Sequence, residues 1–220
     1  MNIWYASNSW HVEAQWIRKS FLEAGIFNGN DNFSMKTWHL NNTGSWSTKD
    51  NLPMLGIENV RSKQFILGQI ENNGSWHMEV SDISNLYYVS MCGPEMVDNQ
   101  WVKKLNKDET FTSVQVTVSL GKDFEESIQE LTKARRYMVR PCEDLEELPT
   151  IFNDYMHALW DTQTTELITP LVDIASEVGS NIFCMDAGWF ALGSDWWKIV
   201  GEWKEYEPNF PNGGLRGVCD

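Results

Sequence analysis

The segment NIFCMDAGWF, Asn181 to Phe190, runs from a continuous apolar stretch into a lone carboxylate, Asp186, and then into Gly188 and two aromatics. An apolar run without alternation is the pattern of a parallel strand covered on both faces, so a strand ending at Asp186 is expected. Upstream, Leu167, Leu171, Ile174 and Val178 recur at helical spacing, and Gly179 closes the run. Pro170 within it predicts a kink, or the start of the main part of the helix. Before the helix, TIFND (150–154) is a short apolar run ending in Asn153-Asp154. Strand, helix and strand make a βαβ unit. In a (β/α)₈ barrel the functional side chains sit at the C-terminal ends of strands, and Asn153, Asp154 and Asp186 take such positions.

The first ~120 residues have a different rhythm, with short β-branched or aromatic runs between turn signals. HVEAQW (11–16) alternates polar and apolar residues. QFILGQI and SWHMEV flank Glu71-Asn72-Asn73-Gly74, which reads as a hairpin. In the second of these runs Trp76, Met78 and Val80 face one way, His77 and Glu79 the other. LYYVSM and SVQVTVSL add two more strands, and the spacing implies an antiparallel β-sandwich. The period then changes: Phe124, Ile128, Leu131 and Met138 share a helical face behind an Asp123 cap. VRPCEDLEELP follows as an acidic, Pro-bounded linker. The expected organisation is a sandwich over 1–140 with its helix at 123–139, a linker at 141–149, and a unit over 150–220 that opens in βαβ order.

Lys plus Arg number 17 against 31 Asp plus Glu, a formal net charge of −14. That balance repels nucleic acid and anionic membrane surfaces. No apolar run has the length to span a bilayer, and the N-terminus has neither a basic segment nor an apolar core, so no secretory leader is read. Cys92, Cys142, Cys184 and Cys219 are widely spaced, which favours reduced thiols and the cytoplasm over a disulfide framework or zinc site. The four histidines show no metal spacing, and neither a metal nor any other cofactor is expected. Asn41 and Asn73 open glycosylation-type tripeptides that read as turns. Twelve tryptophans are many for 220 residues. They fit either a Trp-rich core or indole faces for stacking on sugar rings.

The residues then point to a family. IFNDYMHALW, TTELITPLVDIASEVGSNIFCMDAGWF, VGEW and NFPNGGLRGVCD resemble the opening of the catalytic barrel of the glycoside hydrolase family 36 α-galactosidases. Asp186-Ala187-Gly188-Trp189-Phe190, Gly201-Glu202-Trp203 and Phe210-Pro211-Asn212-Gly213 match the family's motifs in order. SNSWHVEAQW, LPMLGIENV, QIENNGSWHMEV and LTKARRYMVRP resemble its N-terminal sandwich. Two departures stand out: Ala187 replaces the second Asp of the double-Asp form, and Gly213-Gly214 contains an extra glycine.

The resemblance implies retaining hydrolysis of terminal α-linked galactose from oligosaccharides such as melibiose or raffinose, in an enzyme that forms a homo-oligomer when intact. Retention needs two carboxyl groups roughly 5–5.5 Å apart. The family's pair are aspartates on later barrel strands, so no catalytic residue is assigned here, and the chain is expected to be a truncated piece, inactive alone. The resemblance also makes 1–140 a partial sandwich and 150–220 the start of a (β/α)₈ TIM barrel, and it implies Asp186 as acceptor of galactose hydroxyls and Tyr155 beside the aglycone. Trp189 and Trp196 are read as lining, with Trp197 and Trp203 of the same loop as open alternatives to Trp196. For Tyr155 ordinary packing under a loop remains open, as does a wall or core place for Trp189. Asp195 and Glu202 read as loop-stabilising. Alternatives are a non-catalytic carbohydrate-binding or oligomerisation module, an α-N-acetylgalactosaminidase and a galactosyl transferase.

Overall fold

The structure, a computed structural model, describes residues 1–29, 32–84 and 86–220, without the side chains of 28, 29, 32, 33 and 193–195. It divides into two compact units, Met1–Val139 and Arg140–Asp220.

The first unit contains β1 (Asn2–Ser7), β2 (Gln15–Ser20), β3 (Asn28–Gly29), β4 (Asn32–Phe33), β5 (Trp38–Asn42), β6 (Asn51–Asn59), β7 (Gln64–Glu71), β8 (Trp76–Ile83), β9 (Leu86–Cys92), α1 (Met96–Asn99), β10 (Gln115–Gly121) and α2 (Phe124–Met138). A five-stranded antiparallel sheet has the order β10-β7-β6-β1-β2, and a three-stranded one has the order β5-β8-β9. Period-two alternation sends each strand of the larger sheet to two covers. On one face Ile3, Leu55, Ile57 and Ile70 pack with Trp76, Met78 and Val80 of β8, closing the sandwich. On the other, Met54, Phe65 and Leu67 meet Leu131 of α2, with Trp4, Trp16, Phe124 and Ile128 around them. Phe124 stacks on Trp4 (5.1 Å between centroids, 12° between planes) and meets Trp16 edge-on. Gly56 leaves room for this layer, since a Cβ there would lie 2.7 Å from the Phe65 ring.

The helix α2 follows its sequence. Asp123 is its N-cap and accepts from the Glu126 N–H at 2.9 Å. Leu131 is buried, with Phe124 and Ile128 partly so, whereas Met138 is exposed. Other sequence expectations need correction. HVEAQW is not a strand. Residues 11–14 form a turn in which His11 and Ala14 have positive φ, and β2 begins only at Gln15. Asn41 lies within β5, not in a turn. The runs around Asn72-Asn73-Gly74 do not pair as a hairpin. β7 bonds to β6 and β10, while β8 bonds to β5 and β9. The turn carries the chain from one sheet to the other, because Ile70 and Trp76 are needed on opposite walls of one core.

The second unit contains α3 (Glu143–Glu147), β11 (Ile151–Asn153), α4 (Thr165–Glu177), β12 (Ile182–Cys184) and α5 (Gly214–Cys219). The stretch expected as linker thus includes a short helix. β11 and β12 pair in parallel, Phe152 opposite Phe183 and Asn153 opposite Cys184, with α4 as the crossover. The Thr164 side chain caps α4, and Gly179 (φ 82°) ends it. The helix runs through Pro170. Its buried positions are Ile168 and Ala175, not the expected Leu167, Ile174 and Val178, which are exposed. β12 stops two residues before Asp186. Nor are these strands covered on both faces here: Ile151 is 61% exposed and Ile182 41%.

Two outcomes are expected. Trp76 is fully buried and its indole N–H donates to the Ser47 carbonyl at 2.7 Å. Trp76→Ala should cost about 3–5 kcal/mol, read as a lower urea midpoint for the first unit. Glu58 accepts from Asn2, Trp4 and Arg18. Burial alone would raise its pKa, but those bonds and the Arg18 charge bring it down from 4.5 to about 2. A depressed carboxyl stabilises the fold above its unfolded pKa and loses that contribution as pH falls through the folded value. Glu58→Gln should therefore flatten the loss of stability between about pH 5 and pH 2, measured by urea titrations across that range.

Candidate functional site

The parallel pair β11/β12 brings two strand ends together. The Asp154 N–H donates to the Cys184 carbonyl at 3.2 Å. Asp154 itself is fully buried, and its Oδ1 accepts the Asp186 backbone N–H at 2.9 Å. That bond fixes where the chain turns after β12. Asp186 is half-buried. Its Oδ1 accepts from the Ala187 N–H at 2.6 Å and its Oδ2 from the Asn153 side-chain amide at 2.8 Å. The orientation of Asn153 follows from its other end, since its Oδ1 accepts the Tyr155 N–H at 2.8 Å, leaving the Nδ2 for Asp186.

Behind these groups lies Gln163, also fully buried, whose Nε2 donates to the Ala187 carbonyl at 2.8 Å. The Asp154 carboxyl is pushed above its ordinary pKa chiefly by burial, with the Asp186 charge adding to it. The hydrogen bond from the Asp186 N–H acts the other way. Among the described residues, Asp154 Oδ2 and Gln163 Oε1 have no hydrogen-bond partner. Asp154 is therefore a buried orienting group. Asp186 presents a fixed, partly accessible pair of acceptor oxygens, each already holding one hydrogen bond and able to take more.

The aromatics form a second layer around Phe190, which is only 4% exposed. Trp189, Trp196 and Trp203 each meet its ring, at 5.3, 6.3 and 5.0 Å between centroids. Trp196 also meets Tyr155 edge-on at 6.4 Å and stacks on Trp197 at 4.0 Å. The four residues expected as substrate-binding are thus joined in one cluster: Asp186 to Asn153, Asn153 to the Tyr155 backbone, Tyr155 to Trp196, and Trp196 through Phe190 to Trp189. Trp189 and Trp196 are half-buried. Glu202 pairs with Lys204 at 2.8 Å, and the side chain of Asp195 lies outside the described residues.

Sequence reading placed Asn153 at a functional strand end without giving it a role, and gave no role to Gln163 or Phe190. Gln163 carries no such mark, because its role comes from burial against a loop 24 residues away. Among the described residues of this unit, no three His, Cys, Asp or Glu side chains gather closely enough to share a cation.

The fold and the sequence together resemble the glycoside hydrolase family 36 α-galactosidases. No family model matches the chain. The α-galactosidase Mel36A of Lactobacillus acidophilus is 35% identical over 65 residues, which are 30% of this chain and 9% of that protein. Crystal structures of the GH36 α-galactosidase AgaA of Geobacillus stearothermophilus match 99% of this chain, which spans 30% of their length. One, a variant in complex with 1-deoxygalactonojirimycin, gives a TM-score of 0.77 at 15% identity. A doubly substituted variant in complex with stachyose gives 0.76 at 16% identity.

Gly188 provides a test of this geometry. Its φ is +115°, and a Cβ there would run into the Gln163 side-chain oxygen and lie 2.8 Å from the Asp161 Cα. Gly188→Ala should destabilise the second unit by about 1–3 kcal/mol or more. Hydrogen exchange should show faster exchange at the Asp186 and Ala187 amides, with the first unit unaffected.

Proposed function

We propose that the chain belongs to glycoside hydrolase family 36 and forms part of the galactose site of a retaining α-galactosidase, with residues 150–220 as the start of its (β/α)₈ barrel. The observation that carries this reading is the Asp186 carboxylate held beside the Asn153 amide at the ends of two parallel strands. The match of the whole chain to AgaA in fold supports it, as does the local identity to Mel36A.

The chemistry is recognition of hydroxyl groups. An ionised carboxylate is a pure acceptor, and each oxygen of Asp186 keeps capacity for a sugar hydroxyl beyond the bond it already makes. Asn153 adds a donor and an acceptor at the same edge. A sugar epimer with one hydroxyl misplaced would leave a partly buried acceptor unpaired, which costs about 1–3 kcal/mol. Tyr155, Trp189 and Trp196 supply apolar ring surface for the sugar's C–H faces.

Bond cleavage needs a nucleophile and an acid/base. Asp154 is unsuited to either role, being fully buried with one oxygen given to a backbone N–H. Asp186 serves recognition, and the reacting pair belongs to the later barrel strands that the family resemblance implies.

The test is titration of the full chain with 1-deoxygalactonojirimycin and with its gluco-configured epimer. The galacto compound should bind at least tenfold more tightly. Asp186→Asn should weaken it at least tenfold, with a small fall in the thermal midpoint of unfolding from the lost Asn153 bond. The chain should not turn over an aryl α-galactoside. Equal binding of the two epimers, absence of binding at millimolar concentration, or unchanged affinity in Asp186→Asn would overturn the recognition role. Turnover would overturn the placement of the reacting pair.

A further inference from the structure

The outer face of the three-stranded sheet carries a group of side chains that the galactoside reading does not use. β8 turns Trp76, Met78 and Val80 into the core, so His77 and Glu79 fall on the opposite face. Register places His77 between Asn41 of β5 and Cys92 of β9, and Glu79 between His39 and Ser90. The segment leading into α1 folds over the same face. Glu95 caps α1 by accepting the N–H groups of Val97 and Asp98. Asn99 donates to the Asn42 carbonyl at 3.1 Å and holds the segment down. One ligand atom each from His77, Glu95 and Asp98 comes within 4.8 Å of the others.

We propose that His77, Glu95 and Asp98 form a divalent-cation site, with Zn²⁺ the best-suited ion. The His77 side chain is only 12% exposed. His77 Nδ1 faces Asp98 Oδ2 at 3.1 Å and its Nε2 faces Glu79 Oε2 at 3.2 Å. A neutral imidazole has one N–H, so one of these contacts sets a nitrogen lone pair against an anionic oxygen. A cation at the Asp98 side removes that conflict and leaves the remaining N–H to donate to Glu79. Such a histidine–carboxylate bond is the usual outer support of a metal-bound imidazole.

Charge points the same way. Glu79, Glu95 and Asp98 put three carboxylates around one histidine, and among the described residues none of them forms an ion pair with Lys or Arg. The His39 ring stacks on His77 at 5.7 Å and closes one side of the cluster.

One imidazole and two carboxylates suit Zn²⁺, with water in the fourth position. Ligands at about 2.0–2.2 Å in a tetrahedron lie about 3.4 Å apart, so the trio must close by little more than an ångström, within reach of side-chain rotation. The bound ion would tie β8 to the segment 95–98 and pin α1 to the sheet. Sequence spacing does not reveal the trio, because 18 and 3 residues separate its members and only the strand register brings them together.

The experiment is calorimetric titration of the full chain with Zn²⁺ alone. It is done in a Cys142→Ser, Cys219→Ser background, since both those thiols are exposed and would compete. One equivalent should bind with micromolar or tighter affinity, and X-ray absorption should show a nitrogen/oxygen shell near 2.0–2.1 Å. His77→Gln and Asp98→Asn should each weaken binding at least tenfold. The nearly isosteric Asp98→Asn keeps the test meaningful should His77→Gln disturb the strand. No saturable binding, or affinity unchanged in Asp98→Asn, would overturn the site.

Discussion

The backbone N–H of Asp186 donates to the buried carboxylate of Asp154, and the geometry of the second unit's strand ends hangs on that bond. β11 and β12 are three residues each, too short to fix the direction of the chain beyond them. A carboxylate at the end of one strand that captures the main chain just past the other supplies the missing constraint. Burying Asp154 is costly, and its raised pKa records that cost. In return Asp186 is held with both oxygens aimed and already hydrogen-bonded.

The first unit meets a different constraint. Its five-stranded sheet is apolar on both faces, so it needs two covers, and the chain supplies one from each side in sequence. The β5-β8-β9 sheet covers one face and α2 the other. The chain crosses between the sheets more than once; the crossing from β7 to β8 is made at Asn72-Asn73-Gly74, and the turn to the helical side follows β10. There the Ser119 hydroxyl donates to the Ser127 carbonyl at 2.8 Å, and α2 is drawn close to the strand that precedes it.

Legibility in the sequence follows from the range of the interactions. The α2 boundaries, the Asp123 cap and the alternation of β8 depend on residues within a turn or two of one another, and local pattern shows them. The partner of β7 does not. A turn-forming tetrapeptide is compatible with a hairpin or with a crossing between sheets, and the choice is made by the core that Ile70 and Trp76 share. The buried side of α4 was misread for a related reason: helical periodicity fixes the spacing of an apolar face but not which of two overlapping faces meets a neighbour. In the strand-end cluster, Asp186 and Tyr155 were singled out through the resemblance in sequence. Asn153, Gln163 and Phe190 were less legible, because each acts through a residue at least 24 positions away or through a ring cluster assembled by the loop after Asp186.

Ala187 occupies the position where the double-Asp form of the motif has a carboxylate. Its N–H is given to Asp186 and its carbonyl to Gln163, so the backbone at this position is committed on both sides whatever the side chain. A carboxylate there would set a third negative charge beside Asp186 and the buried Asp154. Like charges at such range disfavour ionisation, and the Asp186 charge already adds to the burial that raises Asp154. With a methyl group instead, the local charge is limited to the pair that the hydrogen bonds can hold.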